Sequence, residues 1–359
     1  MSLRVLDLFC GAGGLSLGFQ NAGFNIYGGI EWDTMASLTH TQNFDTGYHF
    51  AGDITEVSNE TIKKELMQID VIIGGPPCQG FSSANRYLKE ENDPRNKLFY
   101  EYLRFVNVIN PKVFVIENVP GILTRDSGYA KEKILEITES YGYNVEVKVL
   151  SSENYGVPEI RKRAFFVGIR NDLNLKFNFN NLKPIFEQTT VYDAIKDLEA
   201  LESGQLYNTL FGVERSPIQE YYFDENSLQI ENHNLSVHNE KVVERIKHVP
   251  QGGNWRNVPE ELWDTKRSNR HSSAYRRLDY SKPSITIDTG HMNYFHPVFN
   301  RVPSVRESAR IQTFNDSFIF YGTKTQQYRQ VGNAVPPILA QALAQEIKSL
   351  LDMNNGGVL

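Results

Sequence analysis

The chain has 359 residues, of which 40% are hydrophobic and 22% charged, with a formal net charge of -6. That balance argues against a disordered chain, and no apolar run approaches the roughly 20 residues that a membrane span needs. Two cysteines, Cys10 and Cys78, are too few for a disulfide framework or a four-ligand zinc site, and the eight histidines show no ligand spacing, so no metal is expected and any cysteine function is reactivity. The length predicts two domains. The first residues read as a strand rather than a signal peptide, which places the protein in the cytoplasm.

In chain order, residues 4–9, 25–30, 70–73, 112–116 and 144–149 read as strands. Helical segments lie between them: residues 15–22 closed by Gly23, residues 98–108 ending before Asn110 and Pro111, and residues 129–140 ending near Gly142. Strand and helix in alternation imply an α/β fold with a mostly parallel sheet covered on both faces, in which ligands sit beyond the carboxyl ends of the strands. After the apolar run 164–167 the sequence becomes irregular, Asn-rich and then acidic as far as about Asn300, which reads as a second, smaller domain. Helical signals return at 304–314. Residues 338–351 place Leu339, Leu343 and Ile347 on one face, predicting a helix that returns to the first domain. The expected division is therefore residues 1–178 completed by 303–352, a second domain at 179–302, and a flexible tail at 353–359.

The net charge hides an asymmetry. Residues 187–240 carry eleven acidic and two basic side chains, whereas residues 241–277 carry nine basic and four acidic ones, a candidate phosphate-facing strip. A solvated face explains such a run equally well without other support.

Three segments carry chemistry. Asp7-Leu8-Phe9-Cys10-Gly11-Ala12-Gly13-Gly14 joins a first strand to a first helix through a glycine-rich turn, where backbone can approach a ligand at a helix N-terminus. Glu31 follows Gly11 by twenty residues at the end of the second strand, where a carboxylate would meet ribose hydroxyls. Gly74-Gly75-Pro76-Pro77-Cys78-Gln79-Gly80-Phe81-Ser82 follows a third strand. A free cysteine is more often a small buried hydrophobe than a nucleophile, but a restricted loop at a strand's carboxyl end favours reactivity for Cys78, while Cys10 is better explained by packing. Glu117-Asn118-Val119 ends a fourth strand on the same rim; taken alone, Glu117 reads as a turn residue.

Together these residues resemble the DNA (cytosine-5)-methyltransferases, whose ordered motifs are matched along nearly the whole chain. The resemblance implies a Rossmann-like sheet that binds S-adenosylmethionine, with a smaller DNA-recognition domain. It assigns cofactor contacts to Phe9, Gly11, Gly13, Gly14, Leu15, Glu31, Trp32, Asp53, Ile54, Pro76, Leu98, Asn333 and Val335. Cys78 resembles the nucleophile, Glu117 the acid, and Arg161 with Arg163 the basic pair after Tyr155-Gly-Val-Pro158. Residues 306–312 resemble the helix supporting the recognition domain, and Gly332-Asn333-Ala334-Val335 the last cofactor motif. Double-stranded DNA is the implied partner, with Gln79, Ser82, Asn254, Trp255, Arg256, Arg276 and Arg277 as candidate contacts. Compactness resembles the bacterial or phage restriction-modification type, acting as a monomer in functional association with an endonuclease.

One departure is Glu159, where the family usually has Gln. A carboxylate there is positioned to pair with Arg161 or Arg163 and is the one hint of a DNA-binding protein without catalysis. An NAD-dependent oxidoreductase would account for the glycine-rich turn and Glu31 but not for Cys78, Glu117 and the C-terminal motif together. The Cys-Phe-Thr signature typical of tRNA-modifying relatives is absent, which favours DNA.

Overall fold

The computed structural model describes residues 2–77, 97–124, 128–202, 215–223, 229–264, 274–290 and 293–355. Its elements in chain order are β1 (Arg4–Leu8), α1 (Gly14–Asn21), β2 (Asn25–Glu31), α2 (Thr34–Asn43), β3 (Tyr48–Ala51), α3 (Asn59–Glu65), β4 (Val71–Gly74), α4 (Lys97–Ile109), β5 (Val113–Asn118), α5 (Tyr129–Ser140), β6 (Tyr143–Ser151) and β7 (Lys162–Arg170). Then follow α6 (Val191–Ile195), α7 (Glu199–Glu202), α8 (Pro217–Tyr222), α9 (Glu240–Lys247), β8 (Arg276–Arg277), β9 (Tyr294–Phe295), α10 (Val305–Ile311), α11 (Lys324–Asn333) and α12 (Pro337–Asn355). No described helix is long and apolar enough to cross a membrane.

The chain divides into two compact units. The first comprises Met1–Ser151, Lys162–Ile185 and Pro337–Leu359, and the second Ser152–Arg161 with Phe186–Pro336.

The first unit holds a seven-stranded sheet in the order β3-β2-β1-β4-β5-β7-β6. The strands β1 to β5 pair in parallel, while β7 runs antiparallel to both neighbours. Val71-Ile72-Ile73 and Val113-Phe114-Val115-Ile116 are wholly buried, as expected of central strands covered on both faces, which read as continuous apolar runs. Helix α4 buries Phe99, Tyr102, Leu103, Phe105, Val106 and Ile109, a stripe at helical spacing that faces this core. At the sheet edge β3 has no apolar alternation and only half-buried or exposed residues, so it carried no strand signal. Helix α12 packs on α1 so closely that a side chain at Gly18 would meet Ala340 and the Pro337 carbonyl.

Strand β4 runs equally close to β1: a Cβ at Gly74 would collide with the Leu8 carbonyl oxygen across the parallel pair Leu8 and Gly74. Backbone cannot move aside as a side-chain tip can. Gly74→Ala is therefore expected to cost about 1–3 kcal/mol of stability, read as a lowered denaturant midpoint.

The second unit consists of short helices, a two-stranded parallel ladder of β8 and β9, and long connections. Capping boxes begin four of its helices, at Thr190, Ser216, Ser304 and Thr323, where a hydroxyl and a side chain three residues on satisfy otherwise unpaired N–H groups.

Candidate cofactor and catalytic site

Beyond β1 the backbone turns sharply. Phe9 (φ 60°), Gly11 (φ 54°) and Gly13 (φ 102°) all adopt the left-handed region, a conformation that costs a non-glycine residue such as Phe9 about 1–3 kcal/mol and persists where surroundings enforce it. The enforcing group is Glu31 at the end of β2. Its Oε2 accepts from the Gly11 N–H at 2.9 Å and its Oε1 from the Asp33 N–H at 2.8 Å. Burial pushes the Glu31 carboxyl up, and these two donors pull it partly back. Next to it the indole of Trp32 is 69% exposed, and a Cβ at Gly11 would meet no atom within 4 Å, so the turn borders open space. Asp53 caps the turn after β3 through the Thr55 N–H at 2.9 Å, which holds its carboxyl below the usual range.

Several residues expected to contact the cofactor have their side chains in the core. The side chains of Leu15 and Ile54 are buried, Ile54 within the main apolar cluster, and Leu98 is half-buried against the same cluster. Gly14, buried at the start of α1, and Pro76, buried after β4, have backbone to offer rather than side chain. The Pro76 carbonyl accepts from Asn118 Nδ2 at 2.8 Å, tying the end of β5 to the segment that leads to Cys78. Cys78, Gln79 and Ser82 lie outside the described residues.

Glu117 emerges at the end of β5. A Cβ at Gly75 would lie 2.8 Å from its Oε2, so the carboxylate abuts the backbone three residues before Cys78. Its other oxygen pairs with Arg163, whose Nε is 2.7 Å from Glu117 Oε1. This pairing depends on the antiparallel strand: because β7 runs against β5, residues at its start sit at the carboxyl ends of the parallel strands. Arg163 also donates from Nη1 to the Lys162 carbonyl at 2.8 Å, which fixes the guanidinium plane.

Arg161 does something different. It is buried in the second unit, donating to the carbonyls of Ile287 at 3.2 Å and Gly332 at 2.8 Å. Of the expected basic pair, Arg161 thus donates to backbone carbonyls while Arg163 holds the acid. Glu159 is equally buried; its Oε1 accepts from the Ile287 N–H at 2.5 Å and stands 3.9 Å from Arg161 Nη1. A glutamine oxygen can accept the same bond. Glu159→Ala is expected to cost about 1–3 kcal/mol of stability in chemical denaturation by leaving that N–H unsatisfied, and Glu159→Gln less, with kcat retained.

With this geometry established, similarity gives the lineage. Residues 3–349 match the model of the family described as C-5 cytosine-specific DNA methylase. The chain belongs to that family. It is 38% identical to the Type II methyltransferase M.DdeI of Desulfomicrobium norvegicum, across 96% of this chain and 88% of that protein. It is 37% identical to M1.HphI of Haemophilus parahaemolyticus, across 97% and 87%. Among solved structures, a candidate DNA modification methyltransferase encoded within an E. coli prophage superposes with a TM-score of 0.77 at 29% identity, covering 98% of this chain and all of that one. Spodoptera frugiperda DNMT2 shares the fold with a TM-score of 0.61 at 17% identity. The chain is thus a DNA (cytosine-5)-methyltransferase of the restriction-modification type, with the Rossmann-like sheet of that class.

In the methyltransferase's second unit three residues of the basic strip are held in ion pairs within the unit. Lys241 and Arg245 both pair with Asp264, Lys247 pairs with Glu244, and Lys266, Arg267 and Arg270 lie outside the described residues. Arg277 is buried, donating to the carbonyls of Ile246 at 2.7 Å, Val249 at 2.5 Å and His296 at 3.0 Å. Expected to contact DNA, Arg277 instead uses these donors to tie the end of α9 and the residues just beyond it to the segment after β9. Arg256 is exposed and lies 5.4 Å from the centre of the half-buried Trp255 ring, Asn254 caps that turn through the Arg256 N–H at 3.0 Å, and Arg276 is half-buried in β8. Asn333 is exposed at the end of α11, whereas Val335 is buried.

Proposed function

We propose that this methyltransferase carries a methyl group from S-adenosylmethionine to C5 of a cytosine flipped out of duplex DNA, through a covalent adduct of Cys78. The observation that carries the reading is the Glu117 carboxylate, held by Arg163 and abutting Gly75 three residues before Cys78. C5 of cytosine is a weak nucleophile. Addition of the Cys78 thiolate to C6 breaks the C5–C6 double bond and makes C5 electron-rich, while Glu117, carrying a proton, gives it to N3 as charge develops there. Arg163 positions Glu117 and stabilises the carboxylate left behind. After methyl transfer, loss of the C5 proton to a base, with ordered water sufficient, restores the double bond and releases Cys78, and N3 returns its proton to Glu117.

The residues present fit the cofactor: open space over Gly11, an exposed indole at Trp32 for a flat ring, and carboxylates at Glu31 and Asp53 for hydroxyl and amino groups. When bound, that cofactor supplies an electrophilic methyl. Phe9, Gly11, Gly13, Gly14, Glu31, Trp32 and Asp53 would hold it. Residues 1–178 with 303–352 would carry catalysis and 179–302 recognition, with 353–359 a tail. Neither C5 nor C6 is reachable in a stacked duplex, so flipping at a cost of about a few kcal/mol must be offset by protein contacts. Gln79, Ser82, Asn254, Trp255, Arg256 and Arg276 are the candidates. Acting as a monomer, the enzyme would protect cytoplasmic DNA from an associated endonuclease.

Methyl transfer from labelled cofactor to duplex DNA tests the reading. Cys78→Ser should abolish turnover and trapping on 5-fluorocytosine duplexes; full activity in that variant refutes the covalent route.

A further inference from the structure

Beneath the glycine-rich turn lies a buried polar chain that methyl transfer as described above does not use. Asp7, at the end of β1, accepts from the Ser16 hydroxyl of α1 at 2.7 Å, and Ser16 Oγ is 3.0 Å from His40 Nε2 of α2. All three side chains are buried. The His40 ring stacks on His49 of β3 with centroids 5.6 Å apart, and His49 Nε2 meets Ser37 Oγ at 2.7 Å. The turn and the neighbouring strand β2 both pack on this chain: a Cβ at Gly13 would sit 3.0 Å from His40 Cδ2, and one at Gly29 of β2 2.7 Å from His40 Cε1.

The charges acting on Asp7 are the carboxylates Glu31 and Glu117, and the other titratable groups around it are Cys10 and Tyr102. Burial, followed in lesser degree by those two carboxylates, raises the Asp7 carboxyl to about 7 against the opposing Ser16 hydrogen bond. Burial likewise keeps His40 neutral, lowering it to about 3, with His49 adding to the effect.

We propose that Asp7 is a buried charge partner of the methyl donor, so that binding of S-adenosylmethionine expels a proton from the Asp7–Ser16–His40 chain and binding of the demethylated product does not. The inference rests on the reading that the glycine-rich turn holds this cofactor. The donor carries a net charge of about +1 from its sulfonium, and the thioether product about zero, so only the donor favours ionised Asp7. The Asp7–Ser16–His40 bonds can be kept in both states, although Asp7 Oδ1 and His40 Nδ1 are buried without a hydrogen-bond partner among the described residues. With Asp7 protonated, its O–H donates to Ser16 and Ser16 donates to His40 Nε2. With Asp7 ionised, the Ser16 hydroxyl turns to Asp7 and His40 donates from Nε2, its single ring proton moving from Nδ1; the proton lost by Asp7 goes to solvent. The enzyme thereby prefers substrate cofactor over product by electrostatics acting from below the turn.

Calorimetric titration of the full chain with each cofactor form, at pH 7 in phosphate and in Tris, counts protons released. A fractional proton release should accompany the methyl donor, and markedly less the product. Asp7→Asn should abolish the difference and narrow the donor-to-product affinity ratio by about fivefold or more. Ring nitrogen shifts of His40 should report the Nε2–H tautomer with donor bound. Equal proton counts for the two ligands, or a difference that persists in Asp7→Asn and so belongs to Glu31, overturns the proposal. Should Asp7→Asn fail to fold, Ser16→Ala decides: loss of its hydrogen bond raises Asp7 further and must move the pH of greatest release upward, and an unmoved profile overturns the proposal. Failure of the methyl donor to bind in any buffer refutes the cofactor reading itself and the proposal with it.

Discussion

Arg163→Ala is expected to lower kcat by about 10²–10³-fold while changing the KM for DNA little, measured as steady-state methyl transfer to duplex. The guanidinium is 2.7 Å from Glu117 Oε1 and is itself fixed on the Lys162 carbonyl, so its removal frees the acid to rotate away from the base. A misplacement of about 1 Å at such a group costs on the order of 10²-fold. Arg163→Lys should recover part of the loss, since an ammonium can meet one carboxylate oxygen but cannot present the fixed fork. Glu117→Gln keeps the shape and removes the transferable proton, and should lose about 10²–10⁴-fold. Retention of wild-type kcat in Arg163→Ala would show that the pair is structural. The same substitution at Arg161 should act on stability rather than on kcat, because its donors hold the Ile287 and Gly332 carbonyls within the second unit.

The contrast between these two arginines shows where sequence reasoning stops. Burial on both faces writes β4 and β5 into the sequence as unbroken apolar runs, so Glu117 could be placed at a strand end without a structure. The family resemblance placed both arginines near the base, but nothing local says that the strand begins at Lys162, that it runs antiparallel, or that only Arg163 thereby reaches the carboxylate. Charge is misleading in the same way. A run of Lys and Arg reads as solvated or phosphate-facing, yet Arg245 and Lys241 share Asp264 and Arg277 donates to carbonyls at the end of α9 and just after β9. The missed helices α6, α8 and α11 had local signals: Thr190 before Asp193, Ser216 before Gln219 and Thr323 before Gln326 are capping boxes. Short helices have too few turns for a hydrophobic period to emerge, so the cap is the readable part.

Arg310→Ala should destabilise the protein by about 3–5 kcal/mol, seen as a large drop in the denaturant midpoint. In α10 this fully buried guanidinium forms two bonds to Asp316, at 2.9 and 2.6 Å, and two to Asp197, at 2.8 and 2.9 Å, 113 residues away. Truncation strips two bonds from the buried Asp316 and leaves it the more distant Arg306 guanidinium at 3.9 Å, a loss costlier than never having had the pair. Truncating Lys64, whose bridge to Glu65 stands in solvent, should leave the midpoint in place. Glu307 on the same helix extends the prediction to pH. Burial alone would raise its carboxyl, but the Arg301 guanidinium at 2.7 and 2.8 Å, with His296, holds it down to about 2. A depressed carboxylate contributes stability that is present above its ordinary value near 4.5 and is lost as pH falls toward 2. Asp7, raised rather than lowered, works in the opposite sense and at higher pH, its stabilising contribution being complete below about 3.8 and lost as pH climbs through 7. Acid unfolding between about pH 4.5 and 2 should therefore flatten in Glu307→Gln, at the expense of stability at neutral pH. A slope unchanged by that substitution would move the acid-labile contact away from α10.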